Sequence, residues 1–340
     1  MARHARRFLL SCSLAAAALV LTPAAAMACG GLVAPGHAEV LQKATTLAAW
    51  HAGYEHYVTG FQFAGGADKF GYIIPLPGVP TKIQKAGDWT LERLEREINP
   101  PVIAEGDGVF ALTAQAFGPV QVITRTRVDA LDIVVVKGGG ADVAKWAQEN
   151  GFDLTPDTPR VLNRYSDAGA IFALAKFDAL AATKKGLTEG QGTVIHFTIP
   201  APGPWIPLNI LALGKAPTEI VNADLFVLTD RRPQLDPAAL RAPGVEVRAS
   251  EAASNQLLAD LRSDRGMKWL PSHGMWFTAI TMNTPAVAIQ ADLAVDSGGP
   301  FAGVPAPSDS RWVIPLVVGL GGLMLLGAMA GRSGLRLQTR

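Results

Sequence analysis

Cysteine is almost missing from this chain. Cys12 and Cys29 are the only two, and none follows residue 29. A small scaffold stapled by internal disulfides is therefore excluded, and the fold must hold together through its core. An excess of either charge is missing too: 30 Lys and Arg against 29 Asp and Glu give a formal charge of +1. That balance leaves no electrostatic footprint for nucleic acid, so no nucleic-acid partner is expected. Also missing are the spacings that carry common chemistries. There is no Gly-x-Ser-x-Gly elbow, no His-Glu-x-x-His and no phosphate-binding loop. The reading leans away from an enzyme, and no cofactor is implied.

What is present begins at the two ends. Arg3, Arg6 and Arg7 precede an apolar, Ala- and Leu-rich run from Phe8 to Leu21, and small residues stand at Ala26 and Ala28. That order predicts an export signal over residues 1–28. Cleavage after Ala28 makes Cys29 the first mature residue, as a free thiol, a lipidated one or one bridged to another chain. Ordinary cleavage is favoured because Ala26 and Met27 depart from a lipoprotein signal. At the other end, Trp312 to Ala330 is apolar and uncharged, followed by Arg332, Arg336 and Arg340. A helix of about 19 residues rises ~28 Å, close to the ~30 Å of a bilayer core. A transmembrane helix is expected over 312–331, with 332–340 as a cytoplasmic tail, because trailing arginines stay on the cytoplasmic side. Residues 296–311, rich in Gly, Pro and Ser, read as a tether.

Between the ends, residues 29–295 read as a strand-rich α+β domain: antiparallel sheets with a few short helices, in two lobes if a boundary falls near residue 120. Glu39–Trp50, Glu55–Phe63 and Phe70–Ile74 are predicted as a meander, with turns at His51–Tyr54 and Gly65–Asp68 and a stop at Pro75. Trp89–Ile98 suits a helix with Asp88 as its N-cap and Pro100 beyond its end. Further strands are expected at 120–127, 131–137, 170–177, 193–199, 206–211, 223–229, 274–282 and 286–293. Helices are expected at 141–150, 160–165 and 252–261. Gly138-Gly139-Gly140 reads as a flexible turn, and Arg231-Arg232-Pro233 as a solvated one. The phrases Tyr72-Ile-Ile-Pro-Leu-Pro-Gly and Phe197-Thr-Ile-Pro-Ala-Pro-Gly resemble each other.

Several blocks together resemble the bacterial family called domain of unknown function 2330. They are Cys29-Gly30-Gly31 after the signal, Gly53-x-Glu55, and Phe70-Gly71-Tyr72-Ile73-Ile74-Pro75-Leu76-Pro77-x-x-Pro80. Trp146 to Phe152, Tyr165, Ile171 to Lys176, Pro207-Leu208 and Leu225 to Leu228 continue the resemblance across most of residues 29–230. The resemblance implies an exported protein, often with a terminal membrane anchor. It brings no catalytic residues, because the family has no established activity. Many members carry a second cysteine five residues after the first; here Ala34 stands there, so a paired-cysteine site is not available.

Candidate chemistry is sparse. His51, Glu55 and His56 place two imidazoles and a carboxylate within six residues. Along an extended chain His51 and Glu55 point one way and His56 the other, so a metal site needs a turn to gather them and a further ligand to close it. Met267, His273, Met275 and Met282 are a thin scatter of soft ligands near Trp269 and Trp276, which reads equally as core filler. Cys29 as a nucleophile needs a neighbouring base, and only His37 is close. The expectation is an envelope protein outside the bacterial cytoplasmic membrane. It is anchored by one C-terminal span, with a non-catalytic domain that binds or scaffolds another envelope component. The alternative is an enzyme or metal-handling protein of unrecognised type.

Overall fold

The computed structural model describes residues 31–33, 43–62, 71–87, 89–98, 121–178, 181 and 192–296. Cys29, His37, Asp88, Pro100, the expected signal, the expected Gly65–Asp68 turn, the rest of the expected tether and the expected span and tail lie outside them. Among the described residues no helix is long and apolar enough to cross a membrane. The chain divides into two compact units, 1–303 and 304–340, and every described residue belongs to the first.

Two sheets form the frame. The larger contains β2 (Ala44–His51), β3 (Tyr54–Gln62), β5 (Lys82–Lys85), β9 (Gly192–Pro200), β11 (Ile220–Thr229), β12 (Val245–Ala252) and β13 (Trp276–Pro285). Its order is β12-β13-β11-β2-β3-β9-β5, antiparallel except for the parallel pair β11–β2. The smaller sheet runs β1-β4-β8-β7-β6, using β1 (Gly31–Val33), β4 (Gly71–Leu76), β6 (Gln121–Val128), β7 (Leu131–Lys137) and β8 (Ile171–Phe177). It takes strands from both sides of residue 120. Among the described residues the helices are α1 (Thr90–Ile98), α2 (Gly140–Glu149), α3 (Thr158–Asp167), the short α4 (Pro237–Leu240) and α5 (Asn255–Ser263). A two-stranded ladder joins β10 (Trp205–Ile206) to β14 (Leu293–Ala294).

Side-chain alternation turns the sheets into four layers. One face of each sheet meets the other in a shared core containing Tyr57, Phe197 and Leu225 from the large sheet and Tyr72, Ile133 and Ala173 from the small one. The opposite face of the small sheet packs Val134, Phe172 and Leu174 under Trp146 of α2 and Leu162 of α3. The opposite face of the large sheet packs Leu47, Val58 and Phe226 under Leu94 of α1 and Leu258 of α5. Because both faces of both sheets are covered, central strands such as β4 and β11 are buried almost along their length. They read as continuous apolar runs.

The α+β, strand-rich class holds, but several local expectations change. β4 does not continue a meander from β3; it pairs with β1 and β8, while β3 pairs with β9. It also runs through Pro75. The described pairing of β1 with β4 covers Gly71 to Ile73 and stops short of Pro75, so that part of the ladder does not need the missing N–H. The expected strands 206–211 and 286–293 shrink to β10 and β14, flanked by 3-10 turns at Asn209–Ala212 and Ala286–Ala288. Short apolar runs have no period that separates strand from turn. Missed altogether were the short β1 and also β5 and β12, polar strands at the two edges of the large sheet. The two similar phrases sit on β4 and β9, one in each sheet, and face the same core through Tyr72, Ile74, Phe197 and Ile199.

The triple glycine is not a loose turn. A Cβ on Gly140 would lie 2.1 Å from the backbone nitrogen of Asn163, so its hydrogen is what lets α2 start against α3. Ser166 Oγ and Asn163 Oδ1 accept from the first N–H groups of α2 at 2.9 Å each, which occupies the donors a phosphate would need. At α5, Ser254 Oγ accepts from Leu257 N at 3.0 Å. A Ser254→Ala variant is expected to lose about 1 kcal/mol of unfolding free energy by denaturant titration. An unchanged midpoint would mean that the cap carries no stability.

Candidate functional site

The turn between β2 and β3 is two residues long, Ala52 and Gly53, both with positive φ (51° and 86°). It is a tight hairpin of the type whose twist matches the flanking strands. Its register sets Trp50 opposite Glu55 and Ala49 opposite His56. Opposed residues share a face, so His51 and His56 lie on the helix-covered face while Glu55 turns into the core between the sheets. The gathering that a metal site needs does not occur. His51 Nδ1 is instead 2.7 Å from Asp230 Oδ1 at the surface. Among the described residues there is no group of three His, Cys, Asp or Glu side chains placed to share a metal. The methionines separate as well: Met267 and Met275 are in the outer core, Met282 is in the central one, and His273 bonds with Ser272 at the surface.

What His56 does meet is His196. On the outer face of the large sheet the registers align two cross-strand rows, Val58–His196–Gln84 and His56–Thr198–Lys82, drawn from β3, β9 and β5. Gln84 Nε2 lies 3.1 Å from His196 Nδ1, and His196 Nε2 lies 2.8 Å from His56 Nδ1. An amide nitrogen only donates. His196 Nδ1 therefore accepts, His196 Nε2–H donates to His56 Nδ1, and the remaining proton of a neutral His56 sits on Nε2. Nε2 makes no further hydrogen bond among the described residues.

A loop after α5 closes the top. Trp269 stacks flat on His56, ring centroids 3.4 Å apart and 4° from parallel. Asp264 anchors the loop's start, its Oδ2 accepting from Trp89 N at 3.2 Å and Thr90 Oγ1 at 2.6 Å. That carboxylate ties the start of α1 to the end of α5, far along the chain. Gly266, with φ of 77°, passes so near Gln84 that a Cβ would lie 3.0 Å from its Nε2. The result is a cleft of about 390 Å³ lined by His56, Lys82, Gln84, His196, Thr198, Gly266, Lys268 and Trp269.

The electrostatics follow from burial. His196 is 1% exposed and His56 8%. Burial lowers His56 to about 4, helped by the nearby His51. It lowers His196 to about 3, helped by His56 and Lys82. Both imidazoles are neutral at pH 7. Lys82 and Lys268 are exposed at the rim, neither paired with a carboxylate among the described residues. Among the described residues none that lines the cleft is acidic. Two ammonium groups beside two neutral imidazoles disfavour a cation and favour a negative ligand.

Behind the same strand, Glu55 is fully buried, and burial pushes its carboxyl up to about 8. Trp205 N–H donates to its Oε1 at 2.9 Å, while Oε2 has no partner among the described residues. Glu55 is thus a protonated structural acid at pH 7, on the far side of the sheet from the cleft. The candidates missed by sequence reasoning are His196, Gln84, Lys82, Thr198 and Lys268, and Trp269 entered it only as a neighbour of the scattered methionines. The one signal that could have found His196 is a polar residue inside the apolar stretch Thr193–Ile199.

The family described as uncharacterised protein conserved in bacteria, domain of unknown function 2330, matches residues 23–292. No curated protein matches the chain. Solved structures with an overall likeness include baculovirus P35. A mutated P35 after caspase cleavage has 7% identity and a TM-score of 0.37, covering 62% of this chain and 76% of that one. P35 bound to caspase-8 has 9% identity and a TM-score of 0.35, covering 63% and 76%. P35 alone has 9% identity and a TM-score of 0.35, covering 62% and 75%.

Proposed function

The chain belongs to the bacterial family domain of unknown function 2330, and from that premise we propose that it is an envelope protein that binds a small ligand in the His56–His196–Trp269 cleft. In this reading the domain is held outside the cytoplasmic membrane by the C-terminal span. The observation that carries the binding role is the lining itself. Three strands of one sheet and an anchored loop hold Lys82, Thr198, His56 and Lys268 around a common space. A ligand would meet these groups without reordering the backbone, which is the condition for affinity from few contacts. The export signal and the apolar run before Arg332, Arg336 and Arg340 support the location.

Thr198 stands in the middle of the lining row and is only partly buried. A Thr198→Trp variant is therefore expected to fill the cleft while leaving the fold intact. Native mass spectrometry of the full chain, released from host membranes, should show a small ligand on the wild type and none on the plugged variant. The same ligand on both would sink the reading. For the address, a reporter fused after Arg340 should be active only in the cytoplasm, and periplasmic activity would reverse the orientation.

A further inference from the structure

We propose that the cleft is an oxyanion site whose ligand is a compact dianion of the sulfate or phosphoryl class, bound together with one proton that the His56–His196 pair takes up. This inference rests on the binding role of the cleft and adds the ligand's charge and a linked proton. Its first support is the polarity of the lining. Lys82 and Lys268 offer ammonium groups, Thr198 a hydroxyl, and His56 the Nε2–H that the Gln84–His196–His56 chain leaves unshared. Donors of this kind recognise the oxygens of a tetrahedral anion, and charged donors give the strongest such bonds. Among the described residues no carboxylate lines the cleft to oppose the anion or to recognise a cation. Two rim cations match two negative charges.

The second support is the chain's ability to reverse. If the Gln84 amide turns over, its oxygen accepts from His196 Nδ1–H. His196 Nε2 then accepts from His56 Nδ1–H, and His56 keeps its Nε2–H as well. One proton from solvent is thereby stored on His56, which becomes an imidazolium, while His196 stays neutral in its other tautomer. Every hydrogen bond survives with its direction exchanged. The charged and titratable groups facing the pair are His51 on β2, Lys82 on β5 and Lys268 in the covering loop. Each of them resists a further positive charge, and burial resists it more, so the empty pair stays neutral near pH 7. A dianion seated against His56 Nε2–H supplies the opposite charge and lifts that resistance.

Sulfate is the probe, because its charge does not change between pH 5 and 7. Calorimetric titration of the full chain in detergent, at constant ionic strength, should give a dissociation constant that tightens as pH falls. The limit for one linked proton is about tenfold per pH unit. Lys82→Gln and Lys268→Gln should each weaken sulfate about five- to tenfold. Lys145→Gln, on the exposed face of α2, should leave it unchanged. His56→Gln should flatten the pH dependence. Melting curves on each variant separate lost binding from lost fold. A pH-independent constant, or equal weakening by Lys145→Gln, would overturn the proposal. So would a neutral or cationic ligand carried by the wild type and displaced by Thr198→Trp, an outcome that leaves the binding role standing.

Discussion

Replacing Glu55 with glutamine is expected to remove a destabilising contribution that grows between about pH 4.5 and 8. The carboxyl is fully buried in the folded chain and titrates near 8, against an ordinary 4.5 when unfolded. Below 4.5 both states hold the proton and the group is neutral toward stability. Between the two values the unfolded chain releases its proton and the folded one keeps it, so stability falls as pH rises. The fall ends near 8, and at about 1.4 kcal/mol per pKa unit it amounts to about 4–5 kcal/mol. Glutamine keeps the acceptor for Trp205 N–H and cannot ionise. Denaturant titrations across this range should show wild type and Glu55→Gln diverging steadily, with the variant more stable at pH 8. Parallel curves would show that Glu55 is ionised in the fold.

The neighbouring residue slopes the other way. His56 and His196 titrate near 4 and 3 in the folded chain, against an ordinary 6.5. Their contribution is full above 6.5 and is lost as pH falls through those values, because the unfolded chain takes protons the fold refuses. The combined profile should peak near pH 6.5. Glu55→Gln should flatten its alkaline side and steepen the rise between about pH 4.5 and 6.5, where the two contributions oppose each other.

The second large effect is expected at Asp292. One carboxylate oxygen, Oδ1, accepts from Leu208 N at 2.8 Å, Asn209 N at 2.9 Å, Asn209 Nδ2 at 3.0 Å and Tyr165 Oη at 3.0 Å. The Tyr165 hydroxyl in turn accepts from Ile210 N at 3.0 Å. This knot ties α3 to the turn after β10 and to the approach of β14. Asp292→Ala would orphan several half-buried donors at once, at a cost of about 3–5 kcal/mol. Asp292→Asn keeps an acceptor oxygen and should cost less. Tyr165→Phe combined with Asp292→Ala should cost less than the sum, since both cut the same network. The shift in denaturation midpoint reads each value. A loss under about 1 kcal/mol for Asp292→Ala would show that the donors find other partners.

Much of the architecture was legible where physics is local. The hairpin at Ala52–Gly53, the strand 131–137 and the helix that Gly151 ends all follow from turn chemistry and apolar runs. β5 was invisible because Lys-Ile-Gln-Lys is polar, and an edge strand needs no buried face. That omission also hid two of the cleft's lining residues, since Lys82 and Gln84 ride on β5. His51, Glu55 and His56 were visible as a cluster in sequence, but adjacency along a strand separates faces. His56 found its partner in His196, 140 residues further on.

By itself the sequence determined the strand-rich class and the family, because continuous apolar runs and a distinctive Ile-Pro-x-Pro block are written residue by residue. It also supplied the signals at the two ends on which the proposed address rests. Only the tertiary structure decided which strands are neighbours and which charges share a space. Strand pairing joins residues far apart in the chain, and the parallel contact of β2 with β11 is one such choice. The cleft exists because that pairing brings His196 and Gln84 beside His56, under a tryptophan whose loop is pinned to α1 by Asp264.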